Sequence, residues 1–242
     1  MNLKDISFAT PKENILFDEV LLSLAEQGKM GQTLRFWECE RPFIVLGKIS
    51  NPKQDIKLQN AVRKNIPILR RCSGGGTVLQ GKGCFNFTLI ASKKNNPNLL
   101  KLHQSYRFIC ARVVAALKSQ GVDPVFKPIS DIALKGSEKK FSGNAQKRAR
   151  QFIMHHGTVL YNFNISQIEE FLKMPQETPA YRGGRSHADF LENINIDLRD
   201  FKKALCQQFG VNQRSEVISN EEQSTLNDFL KRKDVEVDMG RL

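Results

Sequence analysis

The sequence predicts an α+β fold, in which a mixed, largely antiparallel sheet is flanked by helices. Three β-rich runs, at 131–136, 139–146 and 152–163, follow one another through short polar turns and are expected to lie side by side in one sheet. Two long segments with apolar residues at helical spacing supply flanking helices. With 242 residues and 40% apolar content, positions 1–242 are expected to form a single domain around one core.

The first half of the chain alternates helical and β-rich segments. Residues 13–27 have apolar side chains at helical spacing before Gly28, which predicts an amphipathic helix. The β-rich runs 33–39 and 43–48 are separated by a charged turn containing proline, which is typical of a hairpin. Residues 53–65 look helical, and CFNFTLI at 84–90 is expected to be a buried strand beyond a glycine-rich turn.

The second half begins with an apolar stripe from Leu102 to Leu117, which predicts a helix of about five turns ended by Gly121. The three adjacent β-rich runs follow it. A helical segment is expected at 176–232 and a charged tail at 233–242, with fraying from Lys231 onward.

Lysine and arginine outnumber the acidic residues by 37 to 25, which gives a net charge of +12 and favours anionic partners. Nucleic acid, an acidic carrier protein and a phosphorylated small molecule all fit this charge. The sequence contains no RNA-binding or DNA-binding signature, so nucleic acid is not favoured. It contains no secretory leader and no apolar run of membrane-spanning length, and we therefore expect a cytoplasmic protein without a membrane partner.

Five cysteines are scattered along the chain without a CxxC pair, so neither a disulfide framework nor a zinc site is indicated. They are Cys39, Cys72, Cys84, Cys110 and Cys206. We expect the thiols to be reduced.

The glycine-rich turn at 70–83 has the composition of an anion-binding loop. Gly74, Gly75 and Gly76 place backbone without side chains at a strand end, where amide groups can converge on an anion. Arg70 and Arg71 precede them and alternate across a strand, so one of the two can clamp a phosphate. A surface turn or bulge is the alternative interpretation. The turn lacks the Walker and GxGxxG patterns.

A second candidate segment runs from Lys140 to Gln146 and combines small residues with amide and hydroxyl groups. A lysine here could hold an acyl carbonyl and phosphate oxygens together, although a solvated lysine in a basic run has the same pattern. His155 and His156 face opposite sides of a strand and so cannot easily bind one ion together. Asp131 could hold magnesium through an oxygen, or could simply form a turn.

Together, the segments at 70–89 and at 130–163 closely resemble the two signature blocks of lipoate-protein ligases, in order and in spacing. They read RRCSGGGTVLQGKGCFNFTL at 70–89, then SDIALKGSEKKFSGNAQKR at 130–148 and HHGTVLYNF at 155–163. The helix carrying Asp18 and Glu19 and the LGK at 46–48 also look like that family. The resemblance covers roughly residues 10–175.

This resemblance implies a fold shared with biotin ligases and related to class II synthetase cores, and a reaction in two steps that uses ATP and Mg²⁺. Lipoate would be converted to an adenylate and then transferred to a lysine of an acidic lipoyl domain, of a 2-oxoacid dehydrogenase or a glycine-cleavage protein. No tightly bound prosthetic group is expected.

Site residues follow from the same resemblance, position by position. Lys140 matches the family lysine that contacts lipoate and phosphate, and Asp131 matches its metal-associated aspartate. The adenylate site would comprise Arg70, Arg71, Ser73, Gly74, Gly75, Gly76, Thr77, Val78, Leu79, Asn86, Ser142, Gly143, Asn144, Ala145 and His156.

Two departures from the family keep alternatives open. Cys84 stands where many members have asparagine, and related octanoyltransferases use a cysteine nucleophile with an acyl carrier donor and no ATP. A small buried residue is the other interpretation of Cys84. The chain also ends without the accessory domain of many bacterial ligases, so a separate accessory-domain protein is a possible partner.

The sequence is therefore compatible with three functions. The leading one is ATP-dependent lipoate ligation, and the alternative is an octanoyl or lipoyl acyltransferase that needs no ATP. A module that binds nucleotide or lipoate without turnover is the third. Biotin ligation ranks below all of them because the GRGRxxR-like loop is absent. Arg182, Arg185 and His187, in a proline-rich basic segment, either face the substrate or lie on the surface.

Overall fold

The computed structural model describes residues 1–94 and 96–237. The strands in this part of the chain are β1 (Asn2–Asp5), β2 (Thr33–Trp37), β3 (Phe43–Leu46), β4 (Ile68–Arg70), β5 (Val78–Gln80), β6 (Cys84–Ser92), β7 (Pro124–Lys127), β8 (Asp131–Leu134), β9 (Lys140–Arg148), β10 (Phe152–Leu160) and β11 (Gln213–Ser215). The α-helices are α1 (Pro11–Glu26), α2 (Pro52–Asp55), α3 (Leu58–Arg63), α4 (Leu102–Lys118), α5 (Ser166–Phe171), α6 (His187–Phe190), α7 (Leu198–Phe209) and α8 (Asn220–Arg232).

Eight strands form one large sheet in the order β11-β1-β2-β6-β10-β9-β8-β7. The pairs of β1 with β11 and with β2 are parallel, and the other neighbouring pairs are antiparallel. Strands β8, β9 and β10 are adjacent, as the sequence predicts. The predicted α+β fold with a mixed, largely antiparallel sheet is therefore confirmed.

Helices cover both faces of the large sheet. On one face, α4 and α7 pack their apolar sides onto Phe36, Phe85 and Phe141. On the other face, α1 and α8 pack against the large sheet and against a small sheet of order β4-β3-β5. Because both faces are covered, the central strand β6 is buried along nearly its whole length.

The two predicted long helices are present. A capping box of Thr10 and Glu13 starts α1, and Gly28 follows its end with φ of 74°, a left-handed conformation that glycine adopts without strain. Helix α4 spans 17 residues, close to the predicted five turns. Residues 53–65 form two short helices, α2 and α3, because Ile56 between them is buried and bridges to Leu172.

The predicted hairpin of the β-rich runs 33–39 and 43–48 is wrong. Strand β2 lies in the large sheet between β1 and β6, whereas β3 lies in the small sheet between β4 and β5. All residues of β2 and of β3 are buried, so each strand requires a partner on both sides. The charged turn between them thus carries the chain from one sheet to the other.

The predicted fraying from Lys231 is wrong as far as residue 237. Lys231 and Arg232 belong to α8, and the backbone beyond them runs along β4. The Arg70 amide donates to the Val235 carbonyl at 2.7 Å, and the Val237 amide donates to the Ile68 carbonyl at 2.9 Å. These bonds and the burial of Val235 hold the segment in place. The rest of the predicted tail, residues 238–242, lies outside the described residues.

None of the helices within residues 1–94 and 96–237 combines the length and the apolarity needed to cross a bilayer.

Candidate active site between the glycine-rich loop and the Lys140 strand

The register of the large sheet decides which predicted site residues share a face. Asp131 pairs with Gly143, Gly143 with Thr158, and Thr158 with Asn86, so these four residues form a row across β8, β9, β10 and β6. A second row on the same face joins Ala145, His156, Thr88 and Arg35. Directly paired residues project to the same side of a sheet. The candidate site is built on this face.

The glycine-rich loop, residues 71–77 between β4 and β5, lies over this face. Its position depends on two glycines. Gly75 has φ of +85°, and a side-chain carbon built there would lie 3.8 Å from Cβ of Ala145 on β9. A side-chain carbon on Gly47 would lie 1.9 Å from the Gly75 carbonyl oxygen. Hence the loop after β3 and the loop after β4 meet backbone to backbone at Gly47 and Gly75, where a side chain would not fit.

Arg71 holds the glycine-rich loop from inside. Its buried guanidinium donates to the carbonyls of Gly74 at 2.7 Å and Gly76 at 2.8 Å, and to the Ser73 hydroxyl at 3.0 Å. Burial lowers the pKa of Arg71 to about 10, so it is still charged at neutral pH. Its bonds to loop carbonyls make Arg71 a positioning residue in this structure.

Arg70 points in another direction, as expected from alternation along a strand. Its guanidinium donates to the carbonyls of Gly47 and Ser50 at 2.9 Å and of Lys48 at 3.2 Å. The two arginines therefore organise two neighbouring loops, Arg71 the glycine-rich loop and Arg70 the loop at 47–50. Their predicted contacts with an adenylate stay a prediction.

A bulge brings Lys140 onto the site face. Gly143 pairs with Asp131 and Ser142 with Ile132, but Ala133 pairs with Lys140, so one extra residue is inserted in β9. The Lys140 ammonium lies 2.8 Å from Oδ1 of Asp131. A side-chain carbon on Gly143 would lie 3.1 Å from the same ammonium, so glycine leaves room for the lysine to cross the strand.

Tyr181 is a residue of this site that sequence reasoning missed. Its hydroxyl donates to Oδ2 of Asp131 at 2.7 Å, so Lys140 and Tyr181 hold the two oxygens of one carboxylate. Burial and the Asp131 charge raise the pKa of Tyr181, which keeps its hydroxyl a donor. The only signal in the sequence is its place in the proline-rich basic segment, beside Arg182.

Those charged residues hold the segment together. Arg182 is buried and donates to the Arg185 carbonyl at 2.9 Å, while Arg185 donates to the carbonyls of Tyr181 at 2.8 Å and Glu138 at 3.2 Å. A ring nitrogen of His187 lies 3.2 Å from the Lys173 carbonyl. The contacts of all three side chains fold the segment over β8 and β9. Arg182 and His187 are buried and Arg185 is half-buried, so the surface interpretation is wrong for Arg182 and His187, and contact with the substrate stays a prediction.

His156 connects the glycine-rich loop to a buried ion pair. Its Nε2 lies 2.7 Å from the Ser73 hydroxyl, and its Nδ1 lies 3.6 Å from Oδ2 of Asp18. Asp18 accepts a hydrogen bond from Arg35 at 2.6 Å, and both side chains are buried. Burial raises the pKa of Asp18, but Arg35, His156 and Thr88 together outweigh it and lower that pKa. A polar chain thus runs from α1 to the loop.

The side chains of Ser142 and Asn144 lie on the opposite face of β9. Asn144 donates to the Ser130 carbonyl at 2.8 Å, and its Oδ1 lies 3.1 Å from Nε2 of His155. Burial lowers the pKa of His155 to about 3, so His155 is a neutral core histidine. Of the predicted pocket residues of the second block, Gly143, Ala145 and His156 face the site, and Ser142 and Asn144 support it from behind.

The remaining predicted residues lie along the loop and the strand beyond it. Thr77 donates to Asp55 at 2.5 Å, Val78 is partly exposed, and Leu79 is buried in the core around the small sheet. The Asn86 side chain accepts a hydrogen bond from Thr158 at 2.9 Å on the site face. The fold therefore brings most of the predicted site residues together, whereas Leu79 belongs to the core.

Cys84 has the properties of a core residue. It is fully buried among the apolar residues around the small sheet, and burial raises the pKa of its thiol. Burial also raises the pKa of the Cys72 thiol, to about 12. At neutral pH these cysteines are thiols, and a thiolate is the nucleophilic form.

Asp131 is the carboxylate best placed for a cation at this site. Within the described residues no three His, Cys, Asp or Glu side chains converge to form a complete protein metal site. A magnesium ion can be held by one or two carboxylates, with substrate phosphates and water completing its shell. Asp131 is a carboxylate of the kind that this mode requires, and its predicted contact with magnesium stays a prediction.

Comparison with known proteins identifies the family. The family model described as the lipoyl protein ligase A/B catalytic domain matches residues 10–210. The chain belongs to this family. The resemblance read from residues 70–89 and 130–163 is thereby confirmed, and the chain carries the catalytic domain of this enzyme family.

Individual relatives show two kinds of named activity. The probable lipoate-protein ligase A of Mycoplasma pneumoniae is 27% identical over 221 residues, which are 88% of this chain and 62% of the relative. Octanoyltransferase LipM of Oceanobacillus iheyensis is 25% identical over 206 residues, which are 78% of this chain and 75% of that protein. The chain thus spans about three fifths of the Mycoplasma ligase.

Two solved structures have the same fold. A bipartite lipoate protein ligase from Thermoplasma acidophilum superposes with a TM-score of 0.80 at 18% identity, over 96% of this chain and 92% of that one. A lipoate-protein ligase A crystallised with ATP gives 0.79 at 20% identity, over 96% and 94%. At these identities the likeness shows the fold alone.

Proposed function

We propose that the protein attaches lipoate to a lysine of acceptor lipoyl domains, using ATP and passing through a lipoyl-adenylate. The observation that carries this proposal is the Lys140 ammonium held on Asp131, on the sheet face that the glycine-rich loop covers. Membership of the lipoyl ligase family supports the substrate class.

In the first step, a lipoate carboxylate oxygen would attack the α-phosphorus of ATP, and pyrophosphate would leave. Negative charge develops on the phosphate oxygens in this step, and a positioned ammonium stabilises that charge. Lys140 would leave its ion pair with Asp131 to contact the acyl oxygen and the α-phosphate. Backbone amides of Gly74, Gly75 and Gly76 would bind the remaining oxygens.

In the second step, the amine of the acceptor lysine would attack the acyl carbon, an amide bond would form, and AMP would leave. Lys140 would again stabilise the phosphate oxygens, now those of the leaving AMP. The polar chain through His156 and Ser73 would keep the loop in the conformation that binds the adenylate. Lipoate and ATP are thus substrates of the proposed reaction.

A magnesium ion would neutralise phosphate charge in the first step. Asp131 is the residue that would hold it, with Tyr181 fixing the orientation of the carboxylate. Asp131 would exchange the Lys140 ammonium for the cation as Lys140 moves to the phosphate.

Octanoyl or lipoyl transfer from an acyl carrier without ATP is the second candidate, and the similarity to an octanoyltransferase favours it. That route needs a nucleophilic thiolate if it follows the cysteine chemistry of related transferases. Cys84 is fully buried with a raised pKa, which argues against this role. We therefore place ligation first.

The proposed acceptors are acidic lipoyl domains, consistent with the net charge of +12. The bipartite Thermoplasma ligase suggests that a separate accessory protein could assist adenylation here as well.

The test is a mass measurement on a purified apo lipoyl domain incubated with this protein under three conditions. The first contains lipoate, ATP and Mg²⁺, the second contains octanoyl carrier protein alone, and the third contains synthetic lipoyl-adenylate. Modification in the first and third conditions is the expected result, with Cys84→Ala as active as the wild type and Lys140→Ala strongly impaired.

Other outcomes would change the conclusion. Modification from the carrier alone, lost in Cys84→Ala, would replace ligation by acyl transfer. Modification only from the preformed adenylate would assign the adenylation step to a partner. An unmodified domain in all three conditions, together with tight binding of the adenylate, would make the protein a binding module.

A further inference from the structure

Acidic residues are distributed unevenly along the chain. Positions 56–122 and 139–168 contain many lysines and arginines but no aspartate or glutamate. These two stretches supply β4, β5, β6, α4, β9 and β10, which include much of the candidate site. The positive charge is therefore concentrated on part of the molecule.

The fold brings the basic residues of both stretches together at one end of the large sheet. The Lys93 ammonium donates to the Ala149 carbonyl at 2.7 Å, and the Arg148 guanidinium donates to the carbonyls of Leu99 at 2.6 Å and Leu100 at 2.8 Å. We call this surface the basic end, and it comprises Lys93, Lys94, Lys101, Lys147, Arg148 and Arg150. In the described part of the chain, none of the six forms an ion pair with a carboxylate.

Two leucines are exposed within the basic end. Leu100 is 60% exposed and Leu102 is 44% exposed, on either side of Lys101. Large apolar side chains surrounded by charged ones are the anatomy of a protein interface, with an apolar centre and a polar rim.

The basic end borders the candidate site. Lys147 lies two residues beyond Ala145 on the same face of β9, a distance of about 7 Å along a strand. Ala145 lies under Gly75 of the glycine-rich loop. Tyr106, in the first turns of α4, is close enough to Arg71 for their charges to influence each other's pKa. A domain bound at the basic end would therefore lie beside the loop.

We propose that the basic end is the docking surface for the acidic carrier domain whose lysine is modified. Carboxylates of that domain would face the lysines and arginines, and an apolar side chain would cover Leu100 and Leu102. The inference rests on the proposed function for the identity of the domain. A nucleic acid would meet the same charge, but its phosphates gain nothing from two exposed leucines, so a protein partner is favoured.

The test measures binding directly, so that it does not depend on catalysis. The dissociation constant of an apo lipoyl domain is determined by titration calorimetry for the wild type, for Lys94→Glu/Arg150→Glu and for Leu100→Ser. The control is Lys118→Glu/Lys231→Glu, which changes the net charge equally at exposed positions outside the basic end. Pyrophosphate release from lipoate and ATP is measured in parallel on every variant.

Both variants of the basic end are expected to bind the domain about tenfold or more weakly, while the control and the adenylation step stay near wild type. Higher salt should weaken wild-type binding and the control but have less effect on the double variant. These results would support the proposal.

Equal weakening by the control would mean that net charge alone attracts the domain, and unchanged binding by both basic-end variants would place docking elsewhere. Either result overturns the proposal. It also fails if a short DNA duplex binds the basic end more tightly than the domain does and Leu100→Ser has no effect. If the wild type releases no pyrophosphate but still binds the domain through the basic end, the proposed ligation is refuted and the docking surface is still supported.

Discussion

At the scale of single residues, Lys140 and Asp131 form a site whose geometry depends on one irregularity. Regular alternation along β9 would put Lys140 on the same face as Ser142 and Asn144, which face the core. The bulge opposite Ile132 and Ala133 turns Lys140 to the face of Gly143 and Asp131. A sequence pattern of period two would assign the lysine to the wrong side.

We predict that Lys140→Ala lowers lipoate transfer at least a hundredfold, because it removes a cation aimed at developing phosphate charge. The matched control is Lys139→Ala, which removes the same charge from the neighbouring position. Transfer is measured by mass shift of the acceptor domain, and unfolding in urea checks that the fold is retained. Near-normal turnover in Lys140→Ala would refute its catalytic role.

Tyr181 acts on Asp131 from a segment 50 residues further along the chain. We predict that Tyr181→Phe raises the Mg²⁺ concentration needed for half-maximal adenylation about tenfold or more, roughly the effect of losing one hydrogen bond to a charged group. The phenylalanine ring keeps the contact with Phe190. Tyr161→Phe, which loses a hydrogen bond to Glu38 instead, is the control. An unchanged magnesium requirement would contradict the prediction.

At the scale of elements, the glycine-rich loop is positioned by its neighbours. The loop after β3 meets it through Gly47, Arg71 binds its carbonyls from below, and His156 contacts it through Ser73. Each contact comes from a different strand or loop. The conformation of the loop is therefore a property of the surrounding sheet more than of its three glycines.

Gly47→Ala is expected to weaken binding of a lipoyl-adenylate analogue about tenfold or more, because the new methyl group would overlap the Gly75 carbonyl and displace the loop. Titration calorimetry measures the affinity. Gly31→Ala is the control, since nothing lies within 4 Å of the added carbon there. Equal affinities for the two variants would show that the contact between the loops does not position the adenylate site.

At the scale of the whole molecule, the large sheet separates a core face from a site face, and the two adjacent histidines of β10 show the difference. His155 packs against Phe87 and Tyr106 and is fully buried. His156 faces the glycine-rich loop. Because successive side chains of a strand point to opposite faces, β10 supplies a neutral core group and a polar site group at consecutive positions.

The buried His155 should make stability depend on pH. In the folded protein it stays neutral down to about pH 3, whereas in the unfolded chain it binds a proton below about pH 6.5. The unfolded state therefore binds more protons in this window, and the free energy of unfolding should fall as the pH falls from 6.5 towards 3. The contribution of His155 is about 1.4 kcal/mol per pH unit.

Urea unfolding at several pH values between 6.5 and 4.5 measures this slope. His155→Gln should lose the contribution, whereas His103→Gln, at an exposed position on α4, should keep the wild-type slope. A slope that is the same in His155→Gln and the wild type would refute the assignment of His155 as a neutral core group.

Much of this molecule follows from local sequence. Helical spacing and glycine stops determined α1 and α4, because burying one side of a helix requires apolar residues at that spacing. Short polar turns between β-rich runs determined that β8, β9 and β10 are neighbours. The two motif blocks determined the family and identified Lys140, Asp131 and the glycine-rich loop as candidate site residues.

Only the tertiary structure decided which distant segments meet. It separated β2 from β3 because fully buried strands need two partners each, and a local pattern does not name those partners. It also brought Tyr181 to Asp131 and joined Asp18, Arg35 and His156 into one chain. These contacts link residues that are distant in sequence, so a local sequence pattern does not predict them. They form because buried polar groups need hydrogen-bond partners, and the fold decides which partners are near.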